Sequence, residues 1–261
     1  MNILDTIIAY KKVEVIKRKA LRPVAELEET ITFNRPVYSL KSSLLDDRKT
    51  GIIAEYKRMS PSKGIINDKA NVVMVTTAYT KNGASGLSVL TDEKFFGGSA
   101  NDLIKARINE IPILRKDFIV EEYQIIEARA MGADVILLIA ACLSPAEVRR
   151  LATFAKSIGL EVLLELHDEE ELQHICDETE IVGINNRNLK TFEVDIVRSL
   201  RMAEKIPAGK VKVAESGISS VENINLFRQH GFRGFLIGEN FMKEENPGEA
   251  FREFAEKLKT Y

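Results

Sequence analysis

The chain has 261 residues, 45% of them hydrophobic and 29% charged, which suits one large globular domain with a substantial core. Its 37 Lys and Arg against 39 Asp and Glu give a net charge of -2, so composition offers no electrostatic case for nucleic acid or an anionic membrane as a partner. Two cysteines, Cys142 and Cys176, form no disulfide framework, and His167, His174 and His230 lack the spacing of a zinc site.

Neither GxGxxG nor GxxxxGK[ST] occurs, so dinucleotide and P-loop binding have no motif. The longest apolar run, Val135 to Leu143, is far short of the ~20 residues that span a bilayer. The N-terminus interrupts its apolar pattern with Asp5, Lys11, Lys12 and Glu14, unlike a signal peptide. The expectation is a soluble, cytoplasmic monomer that acts on a small molecule.

The segment "ILDTIIAYKKVEVIKRKA" reads as one amphipathic helix, and "RPVAELEET" as a second short helical piece. Nothing resembling a linker follows. Residues 1–50 are therefore expected to be an extension packed on the rest of a single domain spanning 1–261.

Eight short apolar runs come next: 51–57, 86–92, 111–118, 133–140, 160–167, 181–187, 211–216 and 234–239. Helical patterns lie between them, among them "ANVVMVTTAYTKNG", "YQIIEARAMG", "SPAEVRRLATFAKSIG" and "DEEELQHICDET", with one more after the last run. Gly83, Gly132, Gly159 and Gly231 stand where helix C-caps should be. Eight strand–helix units predict an α/β fold, a (β/α)8 TIM barrel. A doubly wound open sheet is the competitor, but the nucleotide fingerprint it often carries is missing.

In such barrels chemistry sits at the C-terminal strand ends. Here those ends carry Glu55-Tyr56-Lys57, Arg115-Lys116-Asp117, Glu165-Leu166-His167, Asn185-Asn186-Arg187, Glu215-Ser216-Gly217 and Gly238-Glu239-Asn240. Solvated strand ends are ordinarily polar, but acids and lysines embedded in aliphatic strands need partners or a substrate. Glu55 and Lys57 are two apart, so a strand aims both at the same space. Small residues after the seventh and eighth strands, in "AESGI" and "LIGEN", suit a phosphate site, to which a helix N-terminus there would add donors. Phe95, Phe96, Phe118 and Phe192 sit in loops near the mouth and hint at a planar substrate portion. The "SPSKG" loop after the first strand reads as either an ordinary turn or a mobile loop that closes on substrate.

The segments "IAEYKRMSPSKG", "VLTDEKFFGGS", "PILRKDFIVEEYQ", "LLELHDEEEL", "GINNRNL", "VAESGI" and "FLIGENFM", in this order, resemble indole-3-glycerol-phosphate synthase. The resemblance implies ring closure, decarboxylation and dehydration of 1-(2-carboxyphenylamino)-1-deoxyribulose 5-phosphate, without metal or organic cofactor, in a barrel whose N-terminal extension covers the mouth. It also implies Lys116 as general acid, Glu165 and Glu55 as the acid–base pair of dehydration in an order left open, and Lys57 beside Glu55. Asn185 and Ser216 would orient the polyol. Ser60 and Arg187 would hold the anthranilate carboxylate, and Phe96, Phe118 and Phe192 would line its ring. Glu215, Gly217, Gly238 and Glu239 would complete the substrate site. Side chains alternate along a strand, so Glu239 is expected to turn its backbone N–H toward phosphate and its carboxylate away, toward a cation such as Lys243. Phosphoribosylanthranilate isomerase and a non-catalytic sugar-phosphate-binding barrel are the alternatives.

Overall fold

The computed structural model describes residues 3–188, 191 and 193–260. Its strands are β1 (Ile52–Tyr56), β2 (Gly86–Leu90), β3 (Ile113–Lys116), β4 (Val135–Ile139), β5 (Glu161–Leu166), β6 (Ile181–Asn185), β7 (Val211–Glu215) and β8 (Phe232–Ile237). Each pairs in parallel with its sequence neighbours, and β1 pairs with β8 in the register Ile53↔Leu236, so the sheet closes. Closure excludes the open doubly wound sheet.

Alternation explains why the strands read as nearly unbroken apolar runs. Ile53, Leu114, Val135, Leu137, Leu163, Val213 and Leu236 point into the barrel, while Ile52, Ala54, Val89, Ile136, Leu164 and Phe235 face the helices. Strands buried on both faces need no polar residue until they reach the mouth.

Two departures from expectation are local, and one loop takes the form of an expected turn. "DEEELQHICDET" forms a 3-10 helix, Glu169–His174, rather than an α-helix, and the Glu171 carboxylate folds back to accept from the His167 N–H at 2.6 Å. A seven-residue helix, Ala100–Ala106, was not expected; it is too short for a periodic signal, and Ser99 caps it. The "SPSKG" loop belongs to a hairpin of two-residue strands, Met59–Ser60 and Gly64–Ile65.

The N-terminal residues form α1 (Ile3–Leu21), α2 (Val24–Glu28) and α3 (Leu40–Leu45). Helix α1 buries Ile7, Lys11 and Val15, spaced by four along one face. Val15 and Leu27 pack on Tyr123, Ile126 and Ala130. Helix α3 closes the opposite end of the barrel: Leu40 and Leu44 join the interior cluster, and Glu161 accepts from the N–H groups of Leu40 and Lys41 at 2.8 and 3.0 Å. Among the described residues no helix is long and apolar enough to cross a membrane.

Candidate active site

A cavity of about 410 Å³ opens at the C-terminal ends of the strands. Glu55, Lys57, Ser60, Phe96, Lys116, Phe118, Glu165, Asn185, Arg187, Glu215, Ser216, Gly217, Gly238 and Glu239 all line it. Phe192 lies outside the described residues. Phe95 is not in the lining; its ring meets Tyr10 of α1 edge-on at 5.8 Å.

Lys116 sits at the centre. Its ammonium donates to Glu165 Oε2 at 2.7 Å and to Glu215 Oε2 at 3.1 Å, and Asn185 Nδ2 donates to Glu165 Oε1 at 3.1 Å. Burial alone would lower the lysine's pKa, but the carboxylates of Glu165, Glu215 and Glu55 outweigh it and hold the amine above its ordinary range. Burial would raise Glu165, yet Lys116 and His167 keep it well below the usual carboxylate range. Glu215 goes the other way: burial, with the nearby Glu165 charge, outweighs Lys116 and pushes it up to about 8. Burial and the neighbouring Glu165 charge thus favour a proton on Glu215, while Lys116 and His167 favour the ionised form of Glu165.

Across the mouth, Lys57 Nζ lies 2.8 Å from Glu55 Oε1, and Ser88 Oγ donates to Glu55 Oε2 at 3.3 Å. Strand β1 ends at Tyr56, one residue before Lys57, yet both charges line the same cavity. The close packing leaves no room for side chains at two glycines: a Cβ at Gly183 would lie 2.1 Å from Glu215 Oε1, and one at Gly238 would lie 2.6 Å from Glu55 Oε1. After β7, Ser216 and Gly217 take φ of 66° and 68°, a left-handed pair that is costly for a serine.

Glu239 corrects the expectation made for it. Strand β8 stops at Ile237, so strand alternation does not apply, and Glu239 opens a short helix, Glu239–Met242. Its carboxylate does not pair with Lys243, which lies 3.9 Å from Glu244. Instead it lines the cavity, 3.6 Å from Lys63 Nζ and 3.4 Å from Arg187. Two cations, Lys63 from the hairpin loop and Arg187 after β6, attract it.

Sequence reasoning missed the apolar wall that α1 contributes through Ile3, Leu4 and Ile7, opposite the tilted ring pair Phe96–Phe118 at 5.8 Å. It also missed the anchor of that helix. Lys11, fully buried, places Nζ 2.7 Å from Glu14, 2.8 Å from Asp92 and 3.0 Å from Asp117. Asp117 in turn accepts from Arg115 at 2.9 Å and Thr91 at 2.7 Å. A lysine breaking the apolar face of α1 was the available signal. Among the described residues no three His, Cys, Asp or Glu side chains are grouped as metal ligands.

The family model for indole-3-glycerol phosphate synthase matches residues 4–254. Indole-3-glycerol phosphate synthase of Bacteroides thetaiotaomicron is 48% identical over 254 residues, 97% of each chain. That of Bordetella pertussis is 44% identical over 252 residues, covering 95% of this chain and 96% of its own. Among solved structures, a chain of the tryptophan synthase a2b2 complex from Pyrococcus furiosus superimposes with a TM-score of 0.60 at 15% identity, over 82% of this chain and 99% of that one, a likeness of fold alone. The chain belongs to the indole-3-glycerol phosphate synthase family, carboxy-lyases of tryptophan biosynthesis.

Proposed function

We propose that the Lys116 cluster performs the ring closure and that Glu165, with the Glu55–Lys57 pair, performs the dehydration. The observation that carries this division is the geometry at Lys116, whose ammonium reaches Glu165 at 2.7 Å and Glu215 at 3.1 Å.

The aromatic carbon bearing the carboxylate attacks the ketone of 1-(2-carboxyphenylamino)-1-deoxyribulose 5-phosphate. Negative charge develops on the carbonyl oxygen, and Lys116 delivers a proton to it. The ammonium is fully protonated at neutral pH, and the alkoxide is far more basic, so transfer is favourable once the bond forms. Protonated Glu215, 3.1 Å away, restores the lysine. Loss of CO2 returns its bonding pair to the ring. The new hydroxyl then departs as water with a proton supplied from the Glu55–Lys57 side, and Glu165, held ionised, removes the proton from carbon that completes the indole.

Phe96 and Phe118 with Ile7 flank the ring. Arg187 and Ser60 hold the anthranilate carboxylate, Asn185 and Ser216 the polyol, and the backbone after β7 and β8 the phosphate. The chain acts as one domain over residues 1–261, with 1–50 packed on the barrel, as a cytoplasmic monomer.

The test follows CO2 release and indole fluorescence separately after mixing enzyme with substrate. Lys116→Ala should lose both. Glu165→Gln should retain CO2 release while the indole signal lags. If both signals fall together in Glu165→Gln, the division between the two carboxylates is wrong.

A further inference from the structure

His167 takes no part in the cavity lining, and the mechanism above does not use it, yet it is buried directly behind Glu165. It follows β5 by one residue, so its ring projects to the same side as Glu165, two positions earlier. Nε2 lies 3.0 Å from Glu165 Oε1. On the other side, Nδ1 lies 3.7 Å from Glu171 Oε2, and the His167 N–H donates to that same oxygen at 2.6 Å. The ring therefore lies between two carboxylates, each near one of its nitrogens.

The charges form a line: Glu171, His167, Glu165, Lys116. Asn185 reaches the same Glu165 oxygen from β6. Cys142, at the end of the turn after β4, adds no charge, since burial pushes its thiol up. Nearby Asp168 faces outward to Arg198 at 3.8 Å. Ionised carboxylates at both ring nitrogens favour an imidazolium, and they outweigh burial to raise the ring to about 9.

We propose that His167 is a positioning residue for Glu165, clamping Oε1 from behind while Glu171 holds the far side of the ring. Through this clamp the carboxylate keeps one orientation, with Oε2 on Lys116, and stays ionised before substrate arrives. The proposal rests on the reading of Glu165 as the dehydration base.

The clamp has a defined pH window. A group whose pKa is raised in the folded protein contributes fully below its ordinary value and loses that contribution as pH rises through the raised one. His167 thus supports Glu165 through neutral pH, and the support fades near pH 9.

The experiment measures kcat and KM against pH for wild type, His167→Gln, Glu171→Gln and Glu165→Gln, with circular dichroism to verify folding. In His167→Gln the acid limb of kcat should move up by about one unit, the scale of one lost charge contact. KM at neutral pH should stay within about twofold, as expected for a group outside the cavity. Glu171→Gln lies further from the chemistry and should move the limb in the same direction by less. An unmoved limb in both variants, while Glu165→Gln abolishes indole formation, overturns the clamp and leaves the role of Glu165 intact. Full activity in Glu165→Gln overturns the base assignment itself. Should His167→Gln not fold, Glu171→Gln alone decides: an unmoved limb overturns the clamp.

Discussion

The carboxylate of Glu215 stands where a side chain of Gly183 would be, since a Cβ there would come within 2.1 Å of Oε1. The absent side chain on β6 lets an acid from β7 turn inward to Lys116. Gly183→Ala should push Glu215 off the lysine and lower kcat at least tenfold. Overpacking of this kind costs about 1–3 kcal/mol, so thermal unfolding should show a loss of that size beside the kinetic one. Normal turnover in a destabilised Gly183→Ala would show that Glu215 is not needed in its place.

Lys116→Ala should nearly abolish turnover while substrate still binds, because a general acid contributes about 10²–10⁴-fold. Removing the ammonium also removes the largest influence that holds Glu165 low. Titration of the variant by carboxyl-sensitive infrared difference spectra should find a carboxylic acid at neutral pH where wild type has a carboxylate. A loss of turnover under about tenfold would dismiss Lys116 from the role.

Lys11→Met should strip the docking of α1. Asp117 keeps Arg115, but leaving Asp92 buried without its cation costs about 3–5 kcal/mol. KM should rise, since Ile3, Leu4 and Ile7 wall the cavity from the same helix. The double variant Lys11→Met, Asp92→Asn should recover part of the stability. Asp117 is held well below its usual range, where burial is outweighed by Arg115 and Lys11. Its contribution is therefore present above about pH 4 and lost as pH falls further. Acid unfolding of Lys11→Met should begin at higher pH than that of wild type. An unchanged acid transition would sink this account.

The anion site can be probed from two sides. Sulfate should inhibit competitively, and Gly217→Val should raise KM more than it lowers kcat, because the new side chain meets Val194 rather than a catalytic group. A Gly238 substitution differs, because its Cβ would strike Glu55 and should lower kcat as well. Glu239→Gln frees Arg187 and Lys63 from a competing carboxylate and should lower KM about threefold, under 1 kcal/mol. A rise in KM would mean that the carboxylate itself receives the substrate.

The barrel was legible because each strand is buried on both faces and reads as an apolar run. Its strand ends were not, because Asp117 and Arg187 line the mouth as polar residues one and two positions beyond the ends of β3 and β6. Fourteen of the fifteen proposed site residues line one cavity, since strand-end position in this fold nearly dictates it. What stayed hidden is paired through space. Nothing in "LELHD" says that a helical turn will bring Glu171 back to the His167 ring, and nothing in α1 names Asp92 and Asp117 as partners of Lys11. The side-chain direction of Glu239 failed for a different reason: the strand ended two residues earlier than its apolar pattern suggested.

Lys116 meets Glu165 across 49 residues of chain and Glu215 across 99. Contacts of such separation form late, because loop closure must come first. Until β7 has joined, Glu215 has no cation and Lys116 lacks one of its two carboxylates. During folding these same charges have another effect. They sit on strands whose edges are still open, and inward charges discourage one open edge from pairing with another chain. The groups assigned to chemistry in the finished barrel should then also guard the unfinished one against aggregation, and neutralising them together is expected to lower refolding yield even where the folded protein tolerates the change.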